Sequence, residues 1–256
     1  MRIPVPILLL TTGLLVAIPT RSIAQDANAV FRSANEDFSE GDYSQAALKY
    51  RGLVEEGLVS PDLYYNLGTA EFRNGQPGQA MLWLRRAQLL DSNLPEVRQN
   101  VEYLRTRLAF LEFNDTGFDQ VVRSLPRSLP LWAMSIATWL AALSLAAGFA
   151  IPRLAPNRSG LIALAVVLLL VTILANRVGH YRSTRLAPEN FATVVTSDAA
   201  ALTAPVPGSK AVIELPPGSE VRILQESGPW IYVDIPGNLR GWVREEIVEP
   251  VWPVSS

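Results

Sequence analysis

The chain has 256 residues, of which 49% are hydrophobic and 18% are charged, and its formal net charge is −2. This balance excludes a nucleic-acid-binding protein that relies on bulk positive charge, and the hydrophobic excess is unusual for a soluble protein. With no cysteine and one histidine, the sequence also excludes disulfides, thiol chemistry, cysteine-based zinc sites and multi-histidine metal sites. We therefore expect a membrane protein that uses no metal and no cofactor.

The amino-terminal segment has the features of a secretory signal. Arg2 precedes an apolar stretch, residues 7–18, and the small residues at positions 22–24 suit a signal peptidase. The apolar stretch is shorter than the roughly 20 residues that a spanning helix needs. The sequence predicts a signal peptide over residues 1–24, with an uncleaved anchor as the alternative, and either would export the segment that follows.

A periodicity of 34 residues follows the signal. Matched pairs at this offset are Ala34/Gly68, Phe38/Phe72, Gly41/Gly75, Ala46/Ala80, Tyr50/Leu84 and Leu53/Ala87. The small residues would let two helices touch, the paired glycines suit a left-handed turn between helices, and the larger residues would fill the interface. The pattern predicts two helical hairpins, over residues 27–60 and 61–94.

The two stretches ANEDFSEGDYSQAALKYRGL and GTAEFRNGQPGQAMLWLRRA resemble tetratricopeptide repeats. The second unit, which contains PDLYYNLG, matches the family pattern better, and the first lacks the usual terminal proline. The resemblance implies a concave face that binds a peptide or a partner domain. The groove positions that it implies are Phe31, Asn35, Phe38, Ser39, Asp62, Tyr65, Thr69, Phe72 and Arg73. The three phenylalanines could instead belong to the core.

After the repeats, an apolar residue recurs every three or four positions, at Val97, Val101, Leu104, Leu108 and Leu111. This spacing predicts one helix, residues 95–113, that caps the repeats and completes a helical domain over residues 25–117. A coiled coil between two copies is the alternative. The next stretch, residues 118–130, has apolar residues on one side and is predicted to lie on the membrane surface.

Two long apolar stretches, residues 131–151 and 161–178, predict membrane-spanning helices. The loop between them, residues 152–160, is short and basic, so the helices must be antiparallel; a buried hairpin of a soluble protein is the alternative. Small residues at Ala142, Ala146 and Ala150 would let another helix approach closely. The signal predicts a cytoplasmic loop, whereas the count of positive charges favours the opposite orientation.

A predicted linker, residues 179–190, leads to an all-β domain over residues 191–250, where proline and glycine separate short runs of β-branched and aromatic residues. The predicted strands are residues 191–197, 211–215, 220–226, 230–235 and 239–244. The segments ELPPGSEVRIL, ESGPWIYVDI and LRGWVREEIV resemble bacterial SH3-like domains, with anchors at Gly218, Trp230, Gly241, Trp242 and Val243.

This second resemblance implies a small β-barrel. Residues 201–204 depart from it, because they read Ala-Leu-Thr-Ala where the family has a polar N-V-R segment. We therefore expect Trp230 and Trp242 to pack rather than to bind a ligand. The adjacent acid pairs at 55–56 and 245–246 point apart in any regular structure, so no catalytic residues are expected and the protein is predicted not to be an enzyme.

The whole order of domains resembles the BatE-type proteins of Bacteroides aerotolerance operons. The expected fold class is a multidomain membrane protein with all-α tetratricopeptide-repeat hairpins, a transmembrane two-helix hairpin and a small all-β SH3-like barrel. The resemblance implies a non-catalytic scaffold in the bacterial inner membrane, with both soluble domains periplasmic, and a role in stress tolerance. The implied partners are membrane proteins with von Willebrand A domains, a MoxR-type ATPase and membrane lipid, but no nucleic acid. A peptidoglycan-binding adaptor that acts through the barrel is the alternative.

Overall fold

The computed structural model describes residues 23–252, so the predicted signal peptide lies almost entirely outside the described residues. Within this range the helices are α1 (Ile23–Glu40), α2 (Tyr43–Glu55), α3 (Pro61–Arg73), α4 (Pro77–Leu90), α5 (Pro95–Arg107), α6 (Gly117–Ser124), α7 (Leu129–Ala150) and α8 (Arg158–Tyr181). The strands are β1 (Phe191–Val194), β2 (Ala199–Leu202), β3 (Ala211–Leu215), β4 (Glu220–Ser227), β5 (Trp230–Ile235), β6 (Leu239–Arg244) and β7 (Val248–Pro250).

The first four helices form two antiparallel hairpins, as the 34-residue periodicity predicts. Gly41 and Gly75 occupy the left-handed region in the two turns, with φ of 88° and 80°. The Ser60 side chain caps α3 by accepting a hydrogen bond from the Leu63 N–H (3.2 Å). At Gly68, an added Cβ would lie 3.0 Å from Leu84 Cγ, so the absence of a side chain allows α3 and α4 to touch.

Helix α5 packs its apolar stripe inside the chain. Val97, Val101 and Leu104 are buried against the hairpins, which makes the coiled-coil alternative unnecessary for this stripe. The predicted end of the helix at residue 113 is wrong, because α5 ends at Arg107 and Leu108 is extended, with φ of −114° and ψ of 130°. The chain then leaves the helical part and runs to the sheet.

The two apolar helices, α7 and α8, are long and apolar enough to cross a membrane, and little of their surface is covered by protein. Helix α7 has 22 residues, which at about 1.5 Å per residue matches the roughly 30 Å hydrocarbon core of a bilayer. A seam of small residues faces α8, and one of them, Ser144, donates a hydrogen bond to the Leu161 carbonyl (2.8 Å). The other residues of this seam are Ala137, Ala141 and Gly148.

The small residues singled out in the sequence lie elsewhere on α7. Ala142, Ala146 and Ala150 are exposed, and they do not form the contact with α8. Both sets repeat about every fourth residue, so periodicity alone does not say which face of the helix meets the neighbouring helix.

The seven strands form one antiparallel sheet in the order β3-β2-β6-β5-β4-β1-β7. The limits of β3, β5 and β6 are as predicted, while β1 ends three residues earlier than its predicted end at residue 197. Strands β2 and β7 were not predicted. Strand β2 consists of three alanines and a leucine, and β7 is three residues long and ends in proline, so neither has the composition that is typical of a strand.

The predicted linker, residues 179–190, is wrong as a description of this segment. Helix α8 continues to Tyr181, a π-helical turn follows over Arg182–Leu186, and a 3-10 turn over Pro188–Asn190 leads directly into β1. The Asn190 side chain donates hydrogen bonds to the carbonyls of Ser183 (2.8 Å) and Thr184 (3.3 Å), which satisfies groups that the wider π-turn leaves free.

The predicted surface segment also differs in detail. Helix α6 covers only residues 117–124, and its apolar residues do not share one environment, because Val122 is buried whereas Phe118 and Val121 are exposed. Asp119 on the same helix is buried and accepts a hydrogen bond from the Tyr181 hydroxyl (2.6 Å). This contact joins α6 to the end of α8.

Helix α4 connects the helical part to the sheet. One side of α4 packs on α3 and another lies against β1. At Gly78 the approach is so close that an added Cβ would lie 2.7 Å from the Val195 carbonyl oxygen. The helical part and the sheet therefore form one packed body beside the apolar helices.

Candidate groove on the helical part

A cavity of about 560 Å³ opens on the helical part, between α1, α3 and the start of α5. Three of the predicted groove residues, Phe31, Asp62 and Tyr65, line it. The other lining residues are Ala27, Asn28, Leu53, Leu58, Ser60, Leu63, Asn66, Leu94, Glu96 and Val97. The structure brings these three residues to one cavity, to which α5 contributes residues that the resemblance did not imply.

The floor and the rim of this groove have different chemistry. Phe31, Tyr65 and the surrounding aliphatic residues make the floor apolar, whereas Asp62 and Glu96 place two carboxylates on the rim. No lysine or arginine is among the residues of the described range, 23–252, that line this cavity. The groove is therefore suited to an apolar or aromatic side chain that has a basic group beside it.

Asn35 and Thr69 do not line the cavity, but their side chains form hydrogen bonds between the helices around it. The Tyr50 hydroxyl donates a hydrogen bond to the Asn35 side-chain oxygen (2.5 Å), and burial raises the pKa of Tyr50 to about 12, so the phenol stays protonated and can donate. Thr69 accepts a hydrogen bond from the Asn100 amide (3.2 Å) and donates to the Tyr65 carbonyl (2.8 Å). These bonds connect α1 to α2 and α3 to α5.

Three further predicted residues, Phe38, Phe72 and Arg73, pack on other aromatic rings outside the cavity. Arg73 lies over the ring of Tyr43, 5.0 Å from its centroid, and donates a hydrogen bond to its hydroxyl (2.8 Å). Phe38 packs edge-on against the same Tyr43 ring, with the centroids 5.1 Å apart. Phe72 packs in the same way on Tyr103 at 5.8 Å. None of these residues lines the 560 Å³ cavity.

Glu96 and Asn66 are site residues that the sequence reasoning missed. Asn66 follows Tyr65 on α3, and Glu96 lies in the first turn of α5, directly after Pro95. The capping helix was expected to cover an end of the repeats, so no groove position was carried onto it. The sequence feature that indicates Glu96 is Pro95, because a proline at the first position of a helix marks the start of α5 and so places the next residue in its first turn.

The aromatic residues of the sheet follow the sequence expectation in part. Trp230 is buried, and the guanidinium of Arg244 lies 5.7 Å from its ring centroid. Trp242 is half-buried and packs against Tyr232, with the centroids 4.9 Å apart. Trp230 is thus a packing residue, whereas the Tyr232–Trp242 pair keeps part of its surface exposed.

A comparison of the chain with models of known families, with characterised proteins and with solved structures finds no match. What the groove can bind must therefore be read from its own residues.

Proposed function

We propose that this protein is a non-catalytic, membrane-anchored scaffold of a bacterial envelope complex, similar to BatE-type proteins. In this proposal the two hairpins are tetratricopeptide repeats, α7 and α8 span the inner membrane, and the sheet is an SH3-like barrel. The observation that carries the proposal is the open groove of about 560 Å³ with an apolar floor and an acidic rim. A groove of this kind on paired helices is how repeat proteins bind peptide segments.

Two features of the groove support a protein partner. Tyr65 and Phe31 are half-buried aromatic residues, and such residues contribute much of the binding energy at interfaces. The hydrogen bonds of Asn35 and Thr69 fix the surrounding helices before a partner arrives, which reduces the entropy that binding must overcome. The proposed ligand is a segment with an apolar or aromatic side chain next to lysine or arginine.

The BatE resemblance suggests which proteins could carry such a segment. Membrane proteins with von Willebrand A domains would lie in the same membrane and could present such a segment to a periplasmic groove. A MoxR-type ATPase would act from the cytoplasmic side and would not contact this groove. In this arrangement the apolar hairpin keeps the groove close to the membrane surface, where a partner anchored in the same bilayer is present at high effective concentration.

Co-purification of the full chain from detergent-solubilised membranes tests the proposal. We expect a von Willebrand A-type membrane protein to accompany the wild-type chain and to be lost from the double variant Tyr65→Ala, Asp62→Asn. The matched control is Leu48→Ala on α2, which changes an exposed side chain outside the groove. Equal recovery from wild type and the double variant, with an unchanged thermal midpoint, would remove the groove from the proposed function.

The Tyr232–Trp242 pair supports a second candidate, an adaptor that binds peptidoglycan through the sheet. Partly exposed aromatic rings, here tilted at 38° to each other, can cover the apolar face of a sugar ring while their polar tips remain hydrated. If this candidate is correct, purified murein sacculi should retain the wild-type chain and release the Trp242→Leu variant. Equal retention of both proteins would contradict it.

A further inference from the structure

A second and larger cavity, of about 1000 Å³, lies where the apolar helices meet the rest of the protein. Its wall combines the start of α7, the end of α8, the π-helical turn and the end of α4. The lining residues are Gln88, Leu89, Ser92, Arg123, Arg127, Pro130, Leu131, Met134, Ala175, Asn176, Gly179, His180, Arg182, Ser183, Leu186, Ala187, Pro188 and Glu189. We call this the border cavity.

The border cavity is apolar on one side and basic on the other. Leu131, Met134 and Ala175 belong to the apolar runs of α7 and α8. Arg123 of α6, Arg127 and Arg182 lie outside these runs, and Glu189 is the one carboxylate among the described residues that line the cavity. The lining therefore carries a positive excess beside the ends of the two apolar helices, where a bilayer that these helices spanned would have its headgroups.

The arginines differ in how much they are already engaged. Arg182 donates a hydrogen bond to the Leu125 carbonyl (2.8 Å), which holds its guanidinium in place and leaves other N–H donors of the group. Arg123 is paired with Asp115 at 3.3 Å, but both side chains remain substantially exposed. Arg127 is exposed and makes neither a hydrogen bond nor an ion pair with any residue in the described range.

We infer that the border cavity binds the headgroup of an anionic phospholipid. The phosphate would lie near Arg123, Arg127 and Arg182, and the first part of an acyl chain would lie along Leu131, Met134 and Ala175. The amino end of α7 borders the same cavity, and its dipole adds to the attraction for an anion.

The size and the wall of the cavity favour a lipid over free phosphate. A phosphate ion would occupy a small part of about 1000 Å³ and would leave the apolar wall in contact with water, which is unfavourable. A phospholipid matches both halves of the wall at once and is supplied by the membrane that α7 and α8 would occupy. Basic pockets next to membrane helices are known to bind lipid headgroups in this way.

The test measures which lipids remain with the full chain. We would purify wild type and the double variant Arg123→Gln, Arg127→Gln in a neutral detergent and identify bound lipid by native mass spectrometry. Wild type should retain phosphatidylglycerol or cardiolipin in preference to phosphatidylethanolamine, and the double variant should lose this preference. In nanodiscs of phosphatidylcholine with added phosphatidylglycerol, we expect the apparent affinity for phosphatidylglycerol to fall by about 25-fold for the double variant, because each arginine contributes on the order of a fivefold change.

Arg177 provides the matched control. It lies at the same border, is exposed, and is not among the residues that line the cavity. Retention of the lipid preference by Arg177→Gln assigns binding to the cavity, whereas an equal loss in Arg177→Gln would show general surface attraction and overturn the inference.

Two further outcomes would also overturn it. Wild type that carries no excess of anionic lipid would show that the cavity does not bind one. Displacement of the bound lipid by millimolar inorganic phosphate would show that the site recognises a phosphate ion and not a lipid. Circular dichroism and the thermal midpoint of each variant show that it folds, so that loss of lipid can be assigned to the arginines.

Discussion

At the scale of single residues, two adjacent arginines on α4 attach the helical part to the sheet. Arg85 and Arg86 have only 8% and 6% of their surface exposed. Arg85 donates hydrogen bonds to Thr193 Oγ1 (2.9 Å) and to the Gly218 carbonyl (3.0 Å). Because neighbours on a helix point in different directions, Arg86 reaches β7 and the residue after it instead.

Arg86 satisfies several acceptors at once. Its guanidinium donates to the carbonyls of Pro250 (2.8 Å) and Val251 (3.1 Å) and pairs with Glu249 at 2.9 Å. It also lies 4.3 Å from the ring centroid of Trp83.

Arg86→Ala should lower the free energy of unfolding by about 3 kcal/mol, because the carbonyls lose charged donors in a buried site. The thermal midpoint measures this, and Arg98→Ala on the exposed side of α5 should change it little.

Gly78 allows a contact in which even a methyl group does not fit. Glycine within a helix normally destabilises it by about 0.5–1 kcal/mol relative to alanine, so Gly52→Ala on α2, where an added Cβ meets nothing within 4 Å, should raise stability. Gly78→Ala should instead lower it, because the new Cβ would lie 2.7 Å from the Val195 carbonyl oxygen. Urea unfolding measures the free energy of unfolding of both variants. A gain in stability for Gly78→Ala would contradict the close contact.

Because Glu112 pairs with Arg85 of α4, we expect the stability of the protein to depend on the ionisation of its carboxyl. Burial opposes ionisation of its carboxyl, but Arg105 and Arg85 outweigh this effect and hold the pKa of Glu112 below its ordinary value. A depressed folded-state pKa adds stability that is present above the unfolded-state pKa and is lost as the pH falls through the folded-state pKa. The thermal midpoint of wild type should therefore fall more steeply on acidification than that of Glu112→Gln. An equal dependence of the thermal midpoint on pH in the two proteins would show that the Glu112 carboxylate does not stabilise the fold.

At the scale of elements, the extended stretch over residues 108–116 replaces the end of the predicted helix. Leu108 still packs on the helical core, whereas Leu111 packs against the core of the sheet. The Leu111 N–H donates to Ser219 Oγ (3.0 Å), and its carbonyl accepts from the Glu220 N–H (2.8 Å). A helix of these residues could not bring Leu111 to the sheet, so burial and backbone hydrogen bonding together favour the extended form.

A proline substitution distinguishes the two conformations. Ala109 is exposed and follows Leu108, whose ψ of 130° suits a residue before proline. Ala109→Pro should therefore change the thermal midpoint little, whereas Glu102→Pro within α5 should cost about 3 kcal/mol, because it removes a helical hydrogen bond and clashes with the preceding turn. Equal and large losses in both variants would indicate that the helix continues past Arg107.

At the scale of the whole molecule, the direct contact between α4 and β1 has a consequence for topology. Because the helical part and the sheet pack on each other, we expect them in the same aqueous compartment, with the turn between α7 and α8 on the other side of the membrane. Single cysteine variants at Ser39, Ser227 and Ser159 test this in a chain that has no cysteine. An impermeant reagent applied to whole cells with a permeable outer membrane should label the first two and spare the third. Labelling of Ser159 alone would invert the orientation, and the envelope proposal would then be wrong.

Much of the fold could be read from the sequence where the signal is local. The turn glycines Gly41 and Gly75, the buried alanines of the hairpins, the apolar stretches of α7 and α8, and three of the strands with their limits all follow from short-range periodicity and backbone preference. Patterns of this kind depend only on residues that are close together in the sequence, within one helix or one strand. The groove positions came from the tetratricopeptide resemblance instead, and three of them, Phe31, Asp62 and Tyr65, line one cavity.

Only the tertiary structure decided where distant segments meet. Contacts across the chain decide the burial of Arg85 and Arg86, the extended path of residues 108–116 and the exposed position of Ala142. They also decide that some of the predicted groove residues line the cavity while others pack on aromatic rings outside it. A charged pair, an apolar stripe or a row of small residues has the same sequence whether water, lipid or another element covers it. The element that packs against such residues determines whether they are buried, because burial and hydrogen-bond satisfaction depend on both contacting surfaces.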